Sequence, residues 1–214
     1  MLLPAILATA VSAAFAFTVW LQYRRKGQPY QLAWSVGLAM FAIASAAGVA
    51  ARSGAPTENE YRLFYLFGAI LNVAWLAVGT LYVTVRRPVA DAGFVFVYLF
   101  SVVSTIAVFS SPVDLTAALD SGRGFHGEPL PRVLAGIGSG LGSIVLFGGA
   151  LRSAWVFLRR RHNGRRAFAN IVIAVGVLIV AAGGTATFTG ASGLVDVTNL
   201  VGVTVMFAGF LLMR

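Results

Sequence analysis

In 214 residues the chain holds 58% hydrophobic and only 11% charged side chains, with a mean hydropathy of +0.85, a balance that a water-soluble surface does not sustain. A formal charge of +9 would suit a nucleic-acid binder, but the basic residues gather at the ends of apolar runs, where they set membrane topology, so no nucleic-acid partner is expected. With no cysteine in the chain, disulfides, thiolate metal sites and cysteine nucleophiles are excluded.

What is left is an all-α, polytopic protein of the lipid bilayer. Seven segments approach the ~20 apolar residues that span ~30 Å of hydrocarbon: about 2–22, 30–51, 62–85, 90–110, 132–158, 167–189 and 193–213. Together they predict a single seven-helix domain over 1–214. The prolines agree with this division, because Pro4, Pro29, Pro56, Pro88, Pro112, Pro129 and Pro131 all fall at a helix end or in a connection, where a missing N–H does no harm. The first segment has the small residues of a cleavable leader at Ala8-Thr9-Ala10, but its charges follow the apolar run and the run is too long, so it is expected to stay as a helix.

Charge then fixes the direction of every span. Connections after the first, third, fifth and seventh segments, together with Arg214, carry eleven basic residues against one acid, Asp91. The densest of these is the cluster Arg159, Arg160, Arg161, Arg165 and Arg166. The other side has four arginines against six acids. The positive-inside rule therefore predicts the N-terminus outside and the C-terminus in the cytoplasm. A cytoplasmic membrane of bacterial type is the expected location, in keeping with fifteen arginines to the single Lys26. Arg62 and Arg132 open their spans, and Arg152 is the one basic residue placed further into a span, near enough to its end to snorkel. Trp20, Tyr23, Tyr30, Trp34, Tyr82 and Trp155 are expected in an inner aromatic belt, Tyr61 and Tyr65 in an outer one.

Few residues offer chemistry. The long outer connection, Ser111 to Pro131, reads as irregular; its His126, Asp114, Asp120 and Glu128 are metal-ligand types without metal-ligand spacing, and no metal is expected. No span contains a histidine to hold haem or a lysine to hold retinal, so no cofactor is expected. In the fifth span Gly136 with Gly140, and Ser139 with Ser143, place small residues four apart, the spacing that lets a second helix approach closely. That helix belongs either to this chain or to a membrane-protein partner, including a second copy. Asn72 and Trp75, one turn apart in the third span with Tyr98 at similar depth, read either as a helix-bridging amide and its neighbour or as the floor of a pocket. Thr185, Thr187, Asp196 and Asn199 form a polar layer in the outer half, where a ligand would meet hydroxyl and amide groups; Asp196 also suits a helix cap.

Laid on spans five to seven, spans one to three show partial matches, Trp20-Leu21-Gln22-Tyr23-Arg24-Arg25-Lys26 with Trp155-Val156-Phe157-Leu158-Arg159-Arg160-Arg161 and Ser53-Gly54-Ala55 with Thr189-Gly190-Ala191. Such a three-plus-one-plus-three plan resembles that of the SWEET sugar transporters. Their proline-glutamine motif is absent, Gln28-Pro29 running in the reverse order. In outline the chain also resembles the seven-helix input regions of bacterial sensor kinases. Paired acids, a Ser/His pair and metal ligands are all missing from the spans, so no enzyme activity is expected. The expected function is a sensor-like or accessory module that binds a small ligand or a membrane partner, and the alternative is a small transporter of neutral solutes.

Overall fold

Only two residues, Gly27 and Gln28, separate the first two helices. Gly27 makes so tight a reversal feasible: its φ of 63° lies in the left-handed region, and its N–H bonds back to the Tyr23 carbonyl at 2.8 Å, which closes the helix where a side chain would be strained. The computed structural model describes residues 2–54, 56–121, 124–159, 164–188 and 195–212; the side chains of 119–121, 154, 157–159, 166–167 and 184–188 lie outside that set.

Every regular element among the described residues is helical. We number them α1 (Leu2–Lys26), α2 (Pro29–Ser53), α3 (Glu58–Thr84), α4 (Arg87–Ser110), α5 (Leu115–Ser121), α6 (residues 129–159), α7 (Gly164–Phe188) and α8 (Val195–Leu212). Six of these, α1, α2, α3, α4, α6 and α8, are long and apolar enough to cross a membrane. In α7 the described apolar stretch is shorter, Phe168–Gly183. Prolines sit in the first turns of α2, α4 and α6. α3 starts four residues earlier than the hydropathy boundary, because Thr57 and Glu60 form a reciprocal capping box: the Glu60 N–H donates to Thr57 Oγ1 (3.3 Å) and the Thr57 N–H to Glu60 Oε2 (2.9 Å).

Two helices are not α-helical throughout. α3 widens into a π-helix over Tyr65–Leu71, where the Asn72 N–H reaches back five residues to the Phe67 carbonyl, and α6 does so over Gly136–Leu141. Each π segment holds extra backbone without breaking the axis.

Packing closes six helices into a ring: α1 on α2, α2 on α3, α3 on α6, α6 on α7, α7 on α8, and α8 back on α1. α4 stands outside the ring, against α3 and the first turns of α6. α3 is the most enclosed helix, with 56% of its apolar window buried against 22–44% for the other five spans, so it acts as the common wall. One apolar cluster gathers on it, including Leu66, Ile70, Val78, Val97, Phe100 and Leu134. A second, with Phe15, Val19, Leu38, Val203 and Phe210, fills the junction of α1, α2 and α8. Outward-facing side chains such as Ile106 and Ile144 are 64% and 69% exposed, apolar surface of the kind that hydrocarbon accommodates.

The close helix contacts differ from those read in the sequence. A Cβ on Gly136 or Gly140 would meet nothing within 4 Å, whereas one on Gly138 would collide with the Ile70 carbonyl and one on Gly142 would lie 3.0 Å from the Val73 backbone. The face of α6 that packs on α3 is thus that of Gly138 and Gly142, and Gly136 and Gly140 point away from the rest of the chain. Ser139 does join the contact, donating its Oγ hydrogen to the Ala69 carbonyl at 2.5 Å, while Ser143 is half-buried beside it. The two π segments therefore meet each other. Elsewhere α7 and α8 approach almost to backbone contact, a Cβ on Gly176 falling 2.7 Å from the Gly202 carbonyl.

Two further expectations change. Trp34 is not in a belt; its indole lies over Gly79 and donates from Nε1 to the Leu76 carbonyl at 3.1 Å. The outer connection is partly ordered. It contains α5 and is tied to α3 by the Gly124 N–H donating to Tyr61 Oη (2.8 Å), by Phe125 packing on Tyr61 and Tyr65 (5.5 and 4.9 Å between centroids), and by Arg62 donating to the Ser111 carbonyl (3.1 Å).

Candidate functional site

At the arginine-rich end the ring is not filled. A partly open cavity of about 120 Å³ lies there, lined by residues of all six ring helices: Phe15 and Val19, Trp34 and Leu38, Leu76, Thr80 and Thr84, Gly149, Ala150 and Ser153, Asn170 and Ile173, Met206 and Phe210. Its existence follows from residue size. Gly149 and Ala150 leave the α6 wall thin, and α7 offers Asn170 where a larger apolar side chain would plug the gap.

Hydrogen bonding decides what the cavity can recognise. Thr80 Oγ1 donates to the Leu76 carbonyl (3.1 Å) and Thr84 Oγ1 to the Thr80 carbonyl (2.7 Å), so both hydroxyls use their proton on their own helix and keep only acceptor capacity. The Trp34 N–H is engaged by the Leu76 carbonyl, which leaves the indole as an apolar wall. Asn170, half-buried, is the lining group that brings both an amide donor and a carbonyl acceptor. Among the described residues no lining side chain is ionisable. A fitting ligand is therefore small, uncharged and mostly apolar, with a hydroxyl or equivalent group that both donates and accepts.

Residues singled out in the sequence are not brought together here. Asn72 is buried, but its Oδ1 accepts from the Val73 N–H at 2.6 Å. Trp75 turns towards α4, donating to Ser101 Oγ (3.1 Å) and meeting Phe94 edge-on at 5.5 Å. Tyr98 is 55% exposed on the outside of α4, away from both. Neither Asn72 nor Trp75 lines the cavity. Asp196 is at the opposite end of the ring, where its carboxylate takes the Arg52 guanidinium at 2.7 Å and ties α8 to α2; Asn199 is half-buried one turn further on. The side chains of Thr185 and Thr187 lie outside the described residues, as do those of Arg159, Arg160, Arg161 and Arg166, while Arg165 is exposed. On the outer connection His126 Nδ1 is 3.8 Å from Asp114 Oδ2, and no group of three metal-ligand residues forms among the described residues.

No protein-family model, characterised protein or solved structure matches the chain. The functional reading rests on the cavity's own chemistry. Asn170 carries most of it, and the sequence held one signal for it: an amide inside an apolar segment, four residues beyond the arginine cluster. Thr80 and Thr84 gave no such signal, since hydroxyls that bond to their own helix are common in spans.

Proposed function

We propose that this chain is a non-catalytic seven-helix protein of a bacterial-type cytoplasmic membrane, N-terminus outside, that works as a sensor-like or accessory module for a small neutral amphipathic ligand. α7 is its seventh span. The observation that supports this reading is that α1, α2, α3, α6, α7 and α8 all line one cavity. A ligand bound there touches every helix of the ring, so it stabilises one arrangement of all six over any other. The volume of about 120 Å³ is near the ~150 Å³ of an apolar cavity known to take up benzene. A ligand of that order is expected. Gly136 and Gly140, turned outward on α6, are the face on which a partner membrane protein or a second copy would read the change.

A protein retaining Trp34 as its one tryptophan, with Trp20, Trp75 and Trp155 replaced by phenylalanine, tests the cavity. A short brominated alcohol should quench Trp34 fluorescence saturably. Asn170→Leu should weaken that binding roughly tenfold, the worth of one hydrogen bond, and Ala150→Phe should abolish it. Quenching that rises linearly and equally in all three proteins would show partition into detergent or lipid, and would remove the basis for a binding module.

A small neutral-solute transporter is the second reading, favoured by the order of the ring. α1–α3 and α6–α8 close on one another through α3–α6 and α8–α1, and α4 is left outside, as a three-plus-one-plus-three plan requires. The π segments count against a repeat, because α3 and α6 carry them while their repeat partners, α8 and α1, are α-helical as described. Uptake of a neutral solute by sealed proteoliposomes would decide for transport.

A further inference from the structure

Outside the ring there is a second space of different character. α4 meets α6 chiefly along Pro129–Ala135, so towards the arginine-rich end the two helices part and leave a wedge of about 120 Å³ floored by α3. Ala77 and Leu81 form the floor, Gly93 and Phe96 one wall, Leu141 and Val145 the other, and every lining residue is apolar. From Ala74 to Leu81 on the floor it runs for ~10 Å at 1.5 Å per residue. A solute that needs hydrogen bonds finds none. A hydrocarbon chain fits.

What lies at the end of the wedge is charge. On the regular part of α6, Val145 and Arg152 are seven apart, which puts them on one stripe of the helix. Arg152 is exposed, and among the described residues it has no ion-pair or hydrogen-bond partner. Gly149, one turn before it, sits against Thr80 and Thr84 of α3, so Arg152 reaches the level at which α3 ends and the exposed Arg86 opens α4. Arg86 stands seven residues before Gly93 in the wedge wall. Asp91, the nearby acid, is already engaged by Tyr82 Oη at 2.7 Å and Arg87 at 3.9 Å. Among the described residues, two cations without an ion-pair partner, Arg86 and Arg152, therefore stand at the arginine-rich end of α4 and α6, beyond the slot.

We propose that this wedge is a binding site for an anionic glycerophospholipid of the arginine-side leaflet, one acyl chain lying between α4 and α6 and the phosphate held between Arg86 and Arg152. Basic residues at the membrane surface attract anionic headgroups, and the phosphate supplies the counter-ion that the two arginines lack. The site is outside the ring, so it stands or falls separately from the ligand cavity.

Native mass spectrometry of the full chain, with phosphatidylglycerol or phosphatidylcholine of identical acyl chains added to the micelle, tests it. Phosphatidylglycerol should be retained preferentially. Arg152→Gln should lower that preference roughly fivefold, the electrostatic worth of one basic residue at a charged membrane surface, while Arg152→Lys keeps most of it. Arg86→Gln provides the same test should Arg152→Gln fold poorly. Val145→Phe, which fills the slot, should reduce retention of both lipids, and soluble glycerol phosphate should not compete. Equal retention of the two lipids by the wild type would overturn the proposal, as would an unchanged preference in both glutamine variants. A dimer that cross-links through cysteine at Phe96 would give the wedge to a second copy of the chain instead.

Discussion

A glycine contributes to helix packing only where its missing Cβ faces another helix, and the run Gly136-Ile137-Gly138-Ser139-Gly140-Leu141-Gly142 offers that chance twice. Glycine at every second position puts the four-residue spacing in two frames, Gly136 with Gly140 and Gly138 with Gly142, on different faces of α6. Sequence spacing cannot choose between them; the structure sets Gly138 and Gly142 against Ile70 and Val73. Gly138→Ala should therefore destabilise the bundle by about 1–3 kcal/mol through overpacking, and Gly140→Ala should change stability by less than ~0.5 kcal/mol, as exposed substitutions do. Melting in detergent separates the two, and equal shifts would mean that α6 is rotated from the orientation described. The same limit hid other partners. Arg52 and Asp196 were both legible as residues of the arginine-poor end, but an ion pair across 144 positions of sequence leaves no local trace. Asn170 was visible as an amide in a span, without any mark of which way it faces.

Helix positions were legible because charge and proline delimit them, and the elements agree with the hydropathy segments to within a few residues. The π segments were not, since no residue type demands a wider turn; it is stabilised by what crosses it, here the Ser139 hydroxyl on the Ala69 carbonyl. Nor was the order in the connection from Ser111 to Pro131, where Leu115–Ser121, a run with ordinary helical composition, is too short to stand out among flanking glycines and prolines. A π segment behaves as one residue more than an α-helix needs. Deleting Gly140, whose side faces open space, should therefore let α6 relax to an α-helix with both ends still in register, at a cost of about 1–3 kcal/mol from the loosened α3 contact. Deleting Leu146, in the regular part of α6, turns everything beyond it by ~100°, carrying Gly149 off Thr80. The first protein is expected to run as a single peak in size exclusion and the second to aggregate. If both aggregate, the π segment is not a removable insertion.

At the scale of the whole molecule, membrane residence was written in composition, whereas the closing of six helices into a ring with α4 outside depends on which faces match and so required the structure. Direction across the membrane is the reverse case: the positive-inside rule gives its expected sense, from eleven basic residues against four. The absence of cysteine makes it measurable with single cysteines and an impermeant thiol reagent. In the outer connection the reporter belongs at Gly127, which is exposed with nothing within 4 Å of a Cβ, and not at Gly124, where a Cβ would lie 2.5 Å from the Tyr61 ring. Gly164 is equally free at the arginine-rich end. Cysteine at Gly127 should label on intact cells and cysteine at Gly164 only after permeabilisation, since α6 alone connects them. Ser192, between α7 and α8, tests the seventh span: labelling from outside means that α7 crosses, because Gly164 then lies on the other face. Labelling of Ser192 and Gly164 from the same side would leave α7 uncrossed and reduce the count to six, and Arg165 and Arg166 would then no longer anchor the start of a span.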